Sequence, residues 1–517
     1  MTDINDLVKT TTRGSLILLL GQVSSTLVLA LGMLLVARFL GPSDYGSFNK
    51  AQSVVQIVFL LMNLGISSAM TRYIAQFRHE NKQDYIQVYI ETGILLSLTV
   101  STALTILLYL SSGYIANKLY QDPSQEILIK YLSISIIGQA FLALSTGIII
   151  GYERMELKSL TQLLYSLTKS VISPILVYIG FGTLGAIIGH SAPIILSGTL
   201  GTLFIYLLYR KTRTNTRPIT HTEAAKQILT YGFPLYLSVI LTGVLPHLYT
   251  TLLGVYTTNT QIGNYSVAIN FTVLLSFVTL PIGTTIFPLF SKFTTKNPEL
   301  EFLYRNAVKY STLFAYPIIW TIIALADPII QALYSTQYTQ ASHYLRLYLL
   351  SFNLIGLGSI CNPPLLNSQN RTDLTFKSTL TRFLAAVPLS LVAIRNYGVH
   401  GLILTYFTSM AINTIIDYYN INRIYHYTIN TGFLTKILAT SLITATITYT
   451  ITNTLTLNPW IELIIGGTTS LTLYITGFIA TKALTKQDLN YIKQISTSFG
   501  PLQPTINKII NLLLRFI

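Results

Sequence analysis

The chain has 517 residues, a formal net charge of +15, 51% hydrophobic residues and only 10% charged ones, with a mean hydropathy of +0.55. Soluble domains carry about 25% charged residues, so this composition excludes a soluble enzyme or a soluble nucleic-acid-binding module. A single cysteine, Cys361, excludes an intramolecular disulfide and a multi-cysteine metal site and reads as a small apolar residue of its span.

A bilayer-spanning helix needs about 20 predominantly apolar residues at about 1.5 Å each. Fourteen stretches meet that requirement, at 15–37, 47–70, 85–110, 125–150, 159–179, 183–209, 230–254, 262–290, 303–325, 341–366, 374–395, 399–424, 433–453 and 459–481. The predicted fold class is an all-α polytopic membrane protein of 14 transmembrane helices. Span one follows a short charged preface without a small-residue cleavage site, so it reads as a retained helix rather than a signal peptide. Its Gly14, Gly21, Ser25 and Gly32 make a small-residue face suited to close helix contact. Span two carries Asn49, Gln52, Gln56 and Asn63 within about 60° of one another. Span three holds Glu91, and span five holds Lys158, Gln162, Tyr165, Lys169 and Ser173 on one stripe. The longest connection, 210–229, is too short for a soluble domain. In span eleven Thr375, Ser378, Thr379 and Arg382 share a face, and span twelve contains Asp417. Ten prolines (174, 193, 234, 246, 281, 288, 317, 363, 364 and 388) fall within spans and are expected to interrupt them, as is ordinary in membrane helices. The tail after span fourteen has apolar positions between Ile506 and Ile517 with Lys508 and Arg515; it suits an amphipathic surface helix or a frayed end.

With the N-terminus inside and the spans alternating, 25 lysines and arginines fall on inner segments and six on outer ones, Arg38, Lys50, Lys118, Lys130, Arg346 and Arg395. Lys169 and Arg382 remain at membrane depth. This follows the positive-inside rule, so the basic charge is a topology signal and not a nucleic-acid footprint. Both termini are expected in the cytoplasm.

The chain repeats itself at about 216 residues. Gly46-Ser47-Phe48 is answered by Gly263-Asn264-Tyr265, Leu119-Tyr120 by Leu333-Tyr334, Gly151-Tyr152-Glu153-Arg154 by Ser368-Gln369-Asn370-Arg371, and Gly182-Thr183-Leu184-Gly185 by Gly398-Val399-His400-Gly401. Each half holds an even number of spans, so the repeat is parallel, about an axis along the membrane normal, which favours a transporter. The expected organisation is an N-terminal six-helix lobe (1–228), a C-terminal six-helix lobe (229–430), an appended helix pair (431–484) and a cytoplasmic tail (485–517).

Charged side chains at membrane depth cost about 2.5–3.5 kcal/mol on insertion scales and are functional candidates. Lys169 and Arg382 sit near equivalent positions of the repeat, each on a polar stripe. They read as contacts to an anionic (pyro)phosphate, with an internal ion pair to Glu91 or Asp417, or snorkelling, as the alternatives. The amides Asn49, Gln52, Gln56 and Asn63 suit sugar hydroxyls or helix packing equally. Gln162 and Tyr165 join the candidate lining, and Glu91, Asp327 and Asp417 are candidates to hold a coupling cation. No phosphate-binding glycine loop and no metal-ligand spacing is present, and the outer carboxylates are scattered singly, so no cofactor, no metal and no enzyme activity is expected.

Ala37-Arg38-Phe39-Leu40-Gly41-Pro42-Ser43-Asp44-Tyr45-Gly46-Ser47-Phe48 resembles the loop after the first helix of prokaryotic polysaccharide and oligosaccharide flippases, the Wzx-like branch of the MOP superfamily. Asn63-Leu64-Gly65-Ile66-Ser67-Ser68-Ala69 with Arg72-Tyr73-Ile74-Ala75, Gly151-Tyr152-Glu153-Arg154, the stretch Pro328 to Tyr334, and Leu484 to Leu489 are similar to that family in order. The resemblance implies that a polyprenyl (pyro)phosphate-linked oligosaccharide is turned from the cytoplasmic to the outer leaflet of the cell membrane. It also implies glycan assembly enzymes as partners besides membrane lipid, and a second span that borders the cavity. The competing reading is a cation-coupled exporter of small organic cations, the MATE branch with the same two-lobe architecture. Deep Lys169 and Arg382 would repel such a substrate.

Overall fold

A computed structural model describes residues 4–210, 218–293, 297–455, 457–483 and the isolated positions 486, 489 and 508; the apolar tail positions lie outside this set. Backbone polar groups in lipid must be satisfied within their own segment, and the described residues contain helices and no strand. The longer helices are α1 (Ile4–Met62), α2 (Ile66–His79), α3 (Gln83–Tyr114), α4 (Gln125–Gly151), α5 (Met155–Leu176), α6 (Gly182–Tyr209), α7 (His221–Tyr256), α8 (Asn259–Asn270), α9 (Thr272–Phe290) and α10 (Pro298–Ala324). Short α11 (Ala326–Leu333), α12 (Ala341–Leu349) and α13 (Asn362–Ser368) precede α14 (Thr372–Tyr425), α15 (Thr431–Leu455) and α16 (Pro459–Ala480).

Ten continuous helical stretches among the described residues are long and apolar enough to cross a membrane. The chain is a multi-pass membrane protein. Three of these stretches, Gly21–His79, Met155–Tyr209 and Thr372–Tyr425, have 59, 55 and 54 residues. At 1.5 Å per residue each runs to about 80 Å or more, over twice the hydrocarbon thickness. Each contains a glycine in a non-helical conformation: Gly41 (φ 72°), Gly180 (φ 99°) and Gly398 (φ 55°). All three lie where the sequence places a turn between spans, and only glycine takes up such φ without strain. The prolines behave otherwise than expected. Helix continues through Pro174, Pro193, Pro234, Pro246, Pro317 and Pro388, and Pro363 and Pro364 open α13, where a missing N–H costs nothing. The long helices break at glycines instead.

By packing, the chain divides into two compact units. The first comprises Met1–Asn270, Tyr334–Gln340 and Thr379–Tyr406; the second comprises Phe271–Leu333, Ala341–Ser378 and Phe407–Ile517. In the first unit, the small-residue face of α1 lies against α5. A Cβ built on Gly21 would come 2.9 Å from Ser159 Oγ, and one on Gly32 would come 2.5 Å from Ser170 Cα. A core of Met70, Ile74, Ile86, Tyr89, Leu144 and Ile228 joins α2, α3, α4 and α7. Near Gly46 the approach is closer still. A Cβ there would stand 1.7 Å from the Asn259 carbonyl oxygen, and one on Gly263 would stand 1.9 Å from that of Pro42. Positions 217 residues apart thus meet reciprocally, the pattern that a two-fold axis produces. The second unit has its own core of Phe290, Leu300, Tyr304, Val308, Leu365 and Ile421.

Candidate functional site

The deepest polar group of the first unit gathers where α5, α6 and the second half of α1 meet. On α5, Lys169 is 9% exposed. Its ammonium lies 3.4 Å from the Tyr165 hydroxyl, one turn back on the same stripe, and 5.7 Å from the Tyr165 ring centre. Among the described residues no carboxylate stands within ion-pair distance of it. Ser173, one turn further, is buried, and the α6 backbone touches it at Gly189, where a Cβ would come 2.2 Å from Ser173 Cα. The next residue, His190, is 2% exposed, and its Nε2 lies 3.4 Å from the amide nitrogen of Gln52 on α1. The Phe48 ring meets the imidazole edge-on at 6.0 Å.

Towards the α5 N-terminus this group continues into a cleft of about 370 Å³ lined by Ser67, Gln139, Thr146, Lys158, Gln162 and Tyr165, among others. Lys158 lies eleven residues before Lys169, or about 16 Å along the axis. The lining mixes one cation with amides, hydroxyls and an aromatic face, and no carboxylate borders it among the described residues. Such a surface suits an anion attached to hydroxyl-rich groups.

The other candidates separate. Asn49 donates to the Tyr45 carbonyl within its own helix at 2.7 Å, and the Asn63 side-chain oxygen accepts from the Ser67 backbone N–H at 3.4 Å, as a helix-start contact. The Gln162 amide donates to Gln22 at 3.0 Å, so it also fastens α5 to α1. Gln56 is half-buried. Arg382 keeps its Nε buried without a hydrogen-bond partner among the described residues, and no bond joins it to Lys169.

Within the first unit, Glu91 makes no ion pair with Lys169 or Arg382. Glu91 accepts from the Tyr209 hydroxyl at 2.5 Å and from the Gln87 amide at 3.0 Å, with His221 Nε2 at 3.6 Å. It thereby holds the end of α6 and the start of α7 to α3. In the second unit, Asp417 is 1% exposed. One of its oxygens accepts from Asn413 at 3.0 Å, and the other has no hydrogen-bond partner among the described residues. Asp327 pairs with Arg346. An ion pair of Lys169 or Arg382 with Glu91 is therefore not what the first unit holds.

His190 was absent from the candidates, although a signal was there. It is the only Asp, Glu, His, Lys or Arg between positions 183 and 209, and an intramembrane ionisable residue is a functional candidate by default. A second overlooked group is structural. Lys50, 3% exposed on α1, lies 3.3 Å from Asp122 and 3.5 Å from Asn259, over the Tyr120 ring at 4.8 Å.

A family model described as "Polysaccharide biosynthesis protein" matches residues 35–343, more than half of the chain. The chain belongs to the polysaccharide biosynthesis protein family. Among its relatives is the probable low-salt glycan biosynthesis flippase Agl15 of Haloferax volcanii, 20% identical over 90% of this chain and 94% of that protein. Another is the uncharacterized membrane protein MJ1068 of Methanocaldococcus jannaschii, 20% identical over 85% of this chain and 89% of that one. Of solved structures, the lipid II flippase MurJ in its inward closed conformation superposes with a TM-score of 0.72, at 18% identity over 90% of this chain and 99% of that one. An inward-facing MATE family multidrug resistance transporter of the MOP superfamily superposes with a TM-score of 0.62, at 16% identity over 77% and 94% of the two chains. This family member therefore shares the fold of those two transporters.

Proposed function

We propose that this protein is a flippase that moves a polyprenyl (pyro)phosphate-linked oligosaccharide from the cytoplasmic to the outer leaflet by alternating access, and that it is a transporter rather than an enzyme. The observation that carries the reading is Lys169: a nearly buried ammonium without a carboxylate among the described residues, bonded to Tyr165, which lines a cleft with amides and hydroxyls. A buried, unpaired charge is strongly unfavourable, and an anionic carrier arriving from outside the chain would compensate it. The family and the names of relatives such as Agl15 and MurJ support the same substrate class. A cationic drug would meet Lys158, Lys169 and Arg382 with like charge, which disfavours the MATE-type reading despite the shared fold.

In this proposal Lys169, Arg382, Gln52, Gln56 and Tyr165 contact substrate, while Asn49, Asn63 and Gln162 serve chiefly to hold helices. Asp417 is the stronger candidate for a coupling cation, because one carboxylate oxygen is buried and unpartnered, whereas Glu91 is occupied. Both termini face the cytoplasm, where glycan assembly enzymes deliver the substrate. The test is export of lipid-linked glycan in cells. Lys169→Ala and Arg382→Ala should each lower outer-leaflet glycan at near-normal protein abundance, and Arg382→Lys should recover only part, because an ammonium lacks the planar fork. Full export with both cations removed would overturn the reading.

A further inference from the structure

We propose that His190 is a second ligand, beside Lys169, for the phosphoryl oxygens of the anionic lipid carrier, and that Gln52 fixes the tautomer in which it donates. This rests on the flippase reading above and adds a residue, a donor atom and a positioning group to it.

The Gln52 amide nitrogen faces His190 Nε2 at 3.4 Å. An amide nitrogen only donates, so Nε2 accepts, and the proton of the neutral ring sits on Nδ1. That Nδ1 is buried and has no hydrogen-bond partner among the described residues. Buried polar groups are nearly always satisfied, and an orphaned donor inside a membrane helix bundle calls for a function. A role in packing accounts for the Gln52 contact but leaves Nδ1 unexplained.

The surroundings identify the guest. Gly189, adjacent to His190, touches Ser173, and Ser173 lies one turn beyond Lys169. The orphaned N–H and the ammonium without a carboxylate therefore lie on two helices, α6 and α5, that are in contact one residue from His190 and one turn from Lys169. The ammonium has the Tyr165 hydroxyl but no carboxylate among the described residues, and the imidazole N–H has no acceptor among them. A metal ion or an organic cation would be repelled there, and a neutral sugar would leave the charge uncompensated. A phosphoryl group supplies both the negative charge and several acceptor oxygens.

The test uses the full chain in detergent, with geranylgeranyl diphosphate and inorganic pyrophosphate as separate probes, by calorimetry. The expected result is binding of the lipid probe that is lost in Lys169→Ala and weakened about tenfold to a hundredfold in His190→Phe. His190→Gln, which keeps an amide donor, should lose less, and Gln52→Leu should weaken binding while leaving the imidazole in place. Nitrogen NMR of the labelled ring should place the proton on Nδ1 before binding and shift that resonance on saturation. Binding of pyrophosphate alone, with the same dependence on both residues, assigns the site to the phosphoryl group rather than the lipid. A wild-type chain that binds neither probe, or binding indifferent to Lys169→Ala, overturns the substrate reading of the cleft. Binding that needs Lys169 but is unchanged in His190→Phe overturns the His190 assignment alone. If His190→Phe does not fold, an imidazole resonance undisturbed by saturating probe overturns it equally.

Discussion

Asp122 is the side chain on which the buried charge of Lys50 depends. Burial alone would raise its carboxyl, but hydrogen bonds led by Ser124, together with the Lys50 charge, outweigh burial and hold it below the usual carboxylate range. Asp122→Asn leaves the ammonium in place, 3% exposed, with only Asn259 and the Tyr120 ring. Removing one partner of a buried pair costs about 3–5 kcal/mol, so the variant should melt clearly lower than the wild type. The pH dependence follows from the depressed folded-state pKa. The stabilisation is complete above the unfolded value of about 4 and is lost as pH falls through the lower folded value. The melting difference between wild type and Asp122→Asn should therefore be constant at neutral pH and narrow in acid; a difference that widens in acid would contradict the pair. At this scale the sequence made the α5 stripe legible, because a lysine inside an apolar span has so few explanations. It hid Lys50–Asp122 and His190–Gln52, whose partners come from segments distant in the chain. It also offered Glu91 to the deep cations, when Tyr209, Gln87 and His221 surround it instead.

Between elements, glycine sets how closely helices approach. The face Gly21–Ser25–Gly32 was readable from its spacing, but that it packs on α5 was not, since a small-residue stripe carries no address. Gly32→Ala would put a Cβ 2.5 Å from Ser170 Cα, and a backbone atom cannot move aside as a side chain can. The helices must part, at about 1–3 kcal/mol. Folded protein in the membrane should fall, and Ser170→Gly should restore only part, because the Cα remains. Gly467→Ala on α16 is the control, with nothing within 4 Å of the new Cβ. There alanine should be neutral or slightly stabilising through its better helix propensity. Equal loss from both would show that helix propensity, not the α1–α5 contact, governs the effect. The prolines teach the complementary lesson. A proline in a membrane helix removes one hydrogen bond, which neighbours can offset, whereas reversal of the chain needs a residue that accepts positive φ. The turns accordingly fall at Gly41, Gly180 and Gly398.

For the whole molecule, charge and helix length converge on one statement about topology. The stretch Met155–Tyr209 is helical from end to end apart from its glycine break and has 55 residues. As a single crossing it would put Arg154 and Arg210 on opposite sides of the membrane. As two crossings joined at Gly180–Gly182 it returns both to the same side, and that side is the one on which 25 of the cations collect. In the proposed topology, which follows the positive-inside rule, that side is the cytoplasmic one. Reporter fusions after Arg154 and after Arg210 should both report the cytoplasm, and one inserted between Gly180 and Gly182 should report the exterior. The same holds for Arg371, Gly398 and Arg423 in Thr372–Tyr425, where the break is again a glycine. Fusions at Asp44 and after Lys486 should fall on opposite sides, because an odd number of crossings separates them if all fourteen apolar stretches span. Arg154 and Arg210 on opposite sides would remove one crossing and put Asp44 and Lys486 on the same side. That combination would dismantle the fourteen-span topology and, with it, the parallel relation between the halves.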